Sequence, residues 1–162
     1  MLVGICGFLG STTALCTVRG LTRRAFFIGG HSLIALALIL CIVFNELQVL
    51  IAFLVFHFLM IVSFQGSNGA GFWIYAGEVA NEVAMGICLF TMLGSQIIVS
   101  IGTPYLLDDP KIGVTWFLVI LLIFQVLIVI GMILWLRETK GLDVTELYNL
   151  YRPVDMHRQV GA

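Results

Sequence analysis

Charge is what this sequence has least of. Asp, Glu, Lys and Arg make up 10% of its 162 residues, against roughly a quarter in soluble globular domains, and the stretch from Leu47 to Gly77 contains none. Such scarcity excludes an ordinary water-soluble fold. A formal net charge of −1 likewise gives nucleic acid or a strongly acidic partner nothing to bind. Paired cysteines are missing too. Cys6, Cys16, Cys41 and Cys88 all fall inside apolar runs with no Cys-x-x-Cys spacing, so neither a disulfide framework nor a metal site is expected. No nucleophile stands near a base, and no carboxylate pair or metal-ligand cluster is visible, which argues against an enzyme and against a cofactor.

What is there is apolar length. Hydrophobic residues make up 60% of the chain, in runs at about 2–18, 25–44, 47–77, 83–107 and 112–136, each able to cross a bilayer as a helix. The expected fold is an all-α multi-pass membrane protein with five transmembrane helices within residues 1–140, followed by a tail at 141–162. The first run lacks a basic segment before it, unlike a signal peptide. Arg19, Arg23 and Arg24 lie between the first two runs, and Arg137, Lys140, Arg152 and Arg158 follow the last. With five spans these seven cations share one face, which the positive-inside rule makes cytoplasmic. The C-terminus is then inside and the N-terminus outside. In the tail, Leu142, Val144, Leu147, Leu150 and Tyr151 alternate with Asp143 and Glu146 as one apolar face of a short helix on the inner surface.

The third run is too long for one plain span, which needs roughly 20 residues. Either its helix tilts and projects out of the bilayer, or it breaks near Gly66, Gly69 and Gly71, where a missing Cβ lets the backbone bend and lets a ligand or neighbouring helix approach. Irregular backbone at membrane depth is tolerated where it faces protein or a water-filled cavity, so this segment is the best candidate for lining a pathway. Gln65, Asn68 and Trp73 offer amides for hydroxyl groups and an aromatic plate for an apolar face, the two surfaces of a sugar. Helix-to-helix amide bonding with an interfacial tryptophan is an equal alternative on composition alone. Glu78 and Glu82 belong at the inner interface, within reach of Arg19, Arg23 or Arg24. Elsewhere the polar residues read as packing. Ser11, Thr12 and Thr13 suit bonds back to their own helix or across to a neighbouring one, His31 an interfacial or packed position, and His57 a place among Phe53, Phe56 and Phe58. Thr103-Pro104 is expected to bend or end the fourth span. The fifth, with Gln125 its one strongly polar residue, reads as lipid-facing support.

Three landmarks resemble the sugar porters of the major facilitator superfamily, and specifically their last five membrane helices, eight to twelve. Arg23-Arg24 is similar to the end of the Asp-Arg-x-Gly-Arg-Arg loop between helices eight and nine. Gly69 to Glu78, with Trp73 between them, resembles the Gly-Pro-x-x-Trp and Glu pattern of helix ten. Glu138-Thr-Lys-Gly141 matches the Pro-Glu-Thr-Lys-Gly motif after helix twelve. The departures are Arg19 in place of an acidic loop residue, Gly20 and Thr22 in that loop, missing helix-ten prolines, Asn81, Val83 and Met85 where Pro and Arg are expected, and Arg137 in place of the motif's proline.

The resemblance implies a chain equivalent to most of the C-terminal six-helix bundle, working as a fragment of a longer transporter that moves a hexose-like sugar by alternating access. Trp73 corresponds to a sugar-contacting tryptophan, and a gap-free count from Glu78 puts Gln96 at a sugar-binding amide position of helix eleven. Gln65 and Asn68 are weaker candidates. Arg23, Arg24, Glu78 and Glu138 would form an inner charge network that acts as a gate, with Gly66, Gly69 and Gly71 as a hinge. The implied partners are the sugar, the lipid bilayer, the missing N-terminal half or a partner membrane protein, and protons if transport is coupled. From another class comes the alternative of a truncated, non-transporting membrane subunit that packs against a larger assembly.

Overall fold

The computed structural model describes residues 2–108 and 113–150, and among these every regular element is a helix. They are α1 (Leu2–Gly20), α2 (Arg23–Glu46), α3 (Leu50–Phe64), a π-helical segment (Gln65–Gly71), α4 (Phe72–Val79), α5 (Glu82–Asp108), α6 (Gly113–Trp135) and the short α7 (Val144–Asn149). Among the described residues, four rods are long and apolar enough to cross a membrane: α2, α5, α6 and the continuous run Leu50–Val79. The loop containing Lys111 and the final residues of the tail lie outside the described residues.

The bundle is organised on α2. Its buried positions include Phe27, His31, Ile34, Leu38 and Cys41, an alternation of four and three that draws a stripe along one helical face. That stripe packs chiefly against α3 and α6. Two apolar clusters result. At one end Ala14, Val18, Phe26 and Phe27 pack with Phe72, Tyr75 and Leu136; towards the other, Ile34, Leu38, Cys41 and Leu118 pack with Phe53, Phe56 and Met60. His31 sits between the clusters in sequence and is itself buried.

Of the two courses open to the third run, the rod does not break at its glycines but continues from Leu50 to Val79. Its ladder re-registers instead, with Phe72 N–H reaching the Ser67 carbonyl five residues back, and such π turns concentrate at functional sites. The glycines serve close packing. A Cβ on Gly10 of α1 would press on the Val62 carbonyl and on Gln65 Cβ, and a Cβ on Gly30 of α2 would lie 2.9 Å from Ser67 Cβ. Gly66 itself lies against the Gly10 carbonyl, and Gly71 against the Phe26 ring. The missing side chains let α1 and α2 close on the π-helical segment from two sides.

Two further features refine the expectations. Of the bend or end expected at Thr103-Pro104, the end does not occur: helix α5 carries Pro104 inside it and continues to Asp108, with the Thr103 hydroxyl donating to the Val99 carbonyl. Helix α6 is not merely lipid-facing support, because Leu118 and Gln125 are buried against α2. It is α5 that stands apart: among the described elements it packs appreciably against α6 alone, and Val83, Ile87, Phe90, Ile98 and Tyr105 are exposed along it.

Candidate functional site

At the end of the bundle where α1 finishes and α2 begins, the chain builds a knot of charge. Thr22 caps α2, its hydroxyl accepting the Ala25 N–H at 3.3 Å, but the first N–H groups of a helix need further acceptors. Glu138, just past the end of α6, supplies them. Its two carboxylate oxygens accept the backbone N–H of Arg23 at 2.8 Å and of Arg24 at 2.9 Å, where a negative charge is favoured by the helix dipole.

Glu138 is also held by the Lys140 N–H at 3.0 Å. Desolvation pushes its carboxyl upward, yet the backbone N–H groups of Lys140, Arg24 and Arg23 and the Thr22 hydroxyl outweigh that and hold it below the ordinary carboxylate range. Charge-assisted bonds of this kind stabilise the ionised form.

The Arg23 side chain turns the other way, to Glu78 at the end of α4. Nη2 and Nε donate to one carboxylate oxygen at 2.8 and 3.3 Å, with the two side chains only 16% and 26% exposed, while Nη1 donates to the Val18 carbonyl of α1 at 3.1 Å. The Thr139 hydroxyl donates to the second Glu78 oxygen. Lys140 Nζ reaches the Arg19 and Leu21 carbonyls at 2.8 and 2.9 Å, satisfying the frayed end of α1. Arg24 donates to the Ile133 carbonyl of α6 at 2.8 Å. Gly141, at φ +86, takes the left-handed conformation that a side chain would strain, and turns the chain towards α7.

Arg23, Arg24, Glu78 and Glu138 therefore meet in one network that joins α1, α2, α4 and α6. Those four were the expected members; Thr139 and Lys140 join them without having been assigned to the network, as does Tyr75, whose hydroxyl donates to the Arg137 carbonyl at 3.1 Å. Thr139 and Lys140 were within the quoted motif, and their hydrogen-bonding side chains were the available signal.

The four candidate sugar contacts do not gather in this way. Gln65 packs against α1, where a Cβ on Gly7 would meet its amide at 3.5 Å. Asn68 lies beside the His31 ring. Trp73 is 38% exposed, edge-on to Phe72 at 5.3 Å between ring centroids. Gln96 is exposed on α5, away from the packed bundle. A cavity of ≈ 180 Å³ opens beside the π-helical segment, lined by Thr13, Thr17, Ser63, Gly66 and Ser67 together with apolar residues that include Leu33. It is smaller than the roughly 300–1,000 Å³ of most ligand clefts.

Residues that read as packing in the sequence form the middle of the bundle. Gln125 of α6 donates to His31 Nδ1 at 2.8 Å and to the His31 carbonyl at 2.9 Å, and both side chains are buried. His57 stacks on Phe53, with centroids 5.9 Å apart. Thr12 and Thr13 bond back to their own helix.

A family model described as sugar (and other) transporter matches residues 1–151. No curated protein and no solved structure matches the chain.

Proposed function

This chain belongs to the sugar (and other) transporter family, and from that membership we propose that it is the C-terminal part, helices eight to twelve, of a transporter that moves a hexose-like sugar by alternating access. It is an integral, multi-pass membrane protein. In this reading the charged knot lies on the cytoplasmic side, with the C-terminus inside, and acts as a latch on the inner ends of the helices. Alternating access needs one bundle to rock against another around a midplane site. The observation that carries the latch is the convergence of Arg23, Arg24, Glu78, Glu138 and Lys140 on the ends of four helices. When the inner ends separate, these bonds break together and re-form on closure.

Trp73, Gln96, Gln65 and Asn68 are the proposed sugar contacts. Gln96 would join the others once the remaining half of the transporter draws α5 against the bundle. Gly66, Gly69 and Gly71, lying in a π-helical segment, are the proposed hinge, since a turn with one extra residue per cycle has a neighbouring α-helical register available.

Sugar uptake by the transport-competent protein containing this chain tests the latch. Glu78→Gln should cut uptake without lowering the amount in the membrane, and the exchange Arg23→Glu with Glu78→Arg should restore part of it. Uptake indifferent to both changes would overturn the gating role. Trp73→Ala and Gln96→Ala test the contacts in the same assay.

The exposed apolar length of α5 supports a second reading, a non-transporting subunit packed on a larger assembly. An antibody against Gly141–Arg158 separates the two. A native band of roughly 50 kDa, as two six-helix halves require, favours the transporter, and a band near 17.9 kDa favours the subunit.

A further inference from the structure

Where α2, α6 and the π-helical segment meet, the tautomer of one imidazole is decided by its neighbour. The same Gln125 nitrogen approaches both His31 Nδ1 and the His31 backbone carbonyl. A carbonyl only accepts, so the nitrogen is the amide donor and the amide cannot be flipped. Nδ1 is then the acceptor, and a neutral ring carries its proton on Nε2. That Nε2 is buried and has no hydrogen-bond partner, on a residue that is 2% exposed. Next to His31 in sequence, Gly30 lies against Ser67 of the π-helical segment, and the Asn68 amide that follows Ser67 is beside the ring; it is the nearby amide that a small side-chain rotation would bring to Nε2–H. A buried donor without an acceptor is costly, which biases Asn68 towards offering its oxygen.

We propose that His31 and Gln125 form a positioning pair: they present Nε2–H to the Asn68 carbonyl oxygen, leaving the Asn68 NH2 as a donor for a hydroxyl oxygen of the substrate. The functional half of this rests on the reading of Asn68 as a sugar contact. The pair touches no substrate itself. It sets the polarity of a residue in the π-helical segment.

Two measurements test it, one independent of transport. In the 15N-histidine-labelled chain in lipid bilayers, solid-state NMR should find His31 neutral with its proton on Nε2. Asn68→Ala should shift that nitrogen and leave Nδ1 and the His57 signals in place. A proton on Nδ1, or an Nε2 resonance indifferent to Asn68→Ala, overturns the pair. In sugar uptake by the transport-competent protein, Gln125→Leu should raise KM severalfold with Vmax retained, and the same change should add nothing in an Asn68→Ala background. Additive effects, or a loss confined to Vmax and protein amount, mean a packing role and refute positioning. A parental protein that takes up no sugar sinks the transport reading, while the NMR result still decides whether His31 and Gln125 orient Asn68.

Discussion

Glu138 accepts the backbone N–H of Arg23 at 2.8 Å across 115 residues of sequence, so a carboxylate that follows the last long helix caps the N-terminus of the second. Removing a side-chain cap typically costs about 0.5–2 kcal/mol. Glu138→Ala should therefore lower the thermal unfolding midpoint of the detergent-solubilised protein, with Glu138→Gln losing less because its amide oxygen can still accept one N–H. A Glu138→Ala protein as stable as the parent would show that solvent replaces the cap at no cost.

Acid should reveal the same group. The unfolded carboxyl titrates near about 4.3, whereas the folded one is held lower by the N–H groups that outweigh its desolvation. The folded state thus binds fewer protons in mild acid, and the contribution of Glu138 is fully present above the ordinary carboxylate value and fades as pH falls through the folded value. Unfolding midpoints followed from about pH 7 to about pH 3 should fall more steeply for the parent than for Glu138→Gln, the two converging at the acid end. Parallel curves would contradict the assignment.

The Arg23–Glu78 bond can be weighed by a double-mutant cycle. Exposed ion pairs contribute about 0–1 kcal/mol, but this one is largely shielded, and Glu78 also receives Thr139. Arg23→Ala and Glu78→Ala should be less than additive, with a coupling of about 0.5–3 kcal/mol as found for residues in one network. Thr139→Val should couple to Glu78 in the same sense. Full additivity would mean that the three side chains act independently.

Much of the charged end was legible because few charges exist to arrange. Arg23, Arg24, Glu78 and Glu138 stand at the ends of apolar runs, and helices that alternate in direction must bring such ends together. The polar middle was harder, since His31 and Gln125 are 94 residues apart and each sits on an otherwise apolar helix. A usable signal existed all the same. His31 lies eight residues in from the start of α2 and Gln125 ten from the end of α6, depths of roughly 12 and 15 Å at 1.5 Å per residue. Two lone polar side chains at one depth in a bilayer are natural partners. The π turn left no such trace. Gly66, Gly69 and Gly71 fit a break, a bend or close packing equally well, and the choice was made by Gly10 and Gly30 on other helices.

Adjacent glycines on α2 should respond to alanine with opposite signs. At Gly29 a new Cβ meets nothing within 4 Å, whereas at Gly30 it would lie 2.9 Å from Ser67 Cβ, an atom too close to its own backbone to swing away. Alanine gains up to about 1 kcal/mol of helix propensity over glycine, and at Gly29 that gain is unopposed. At Gly30 it is set against overpacking, typically about 1–3 kcal/mol. Gly29→Ala should leave the unfolding midpoint unchanged or raise it, and Gly30→Ala should lower it. Ser67→Gly, which removes the opposing Cβ, should recover most of the loss in the double variant. If both alanines behave alike, α2 does not approach the π-helical segment as closely as Gly30 and Ser67 indicate.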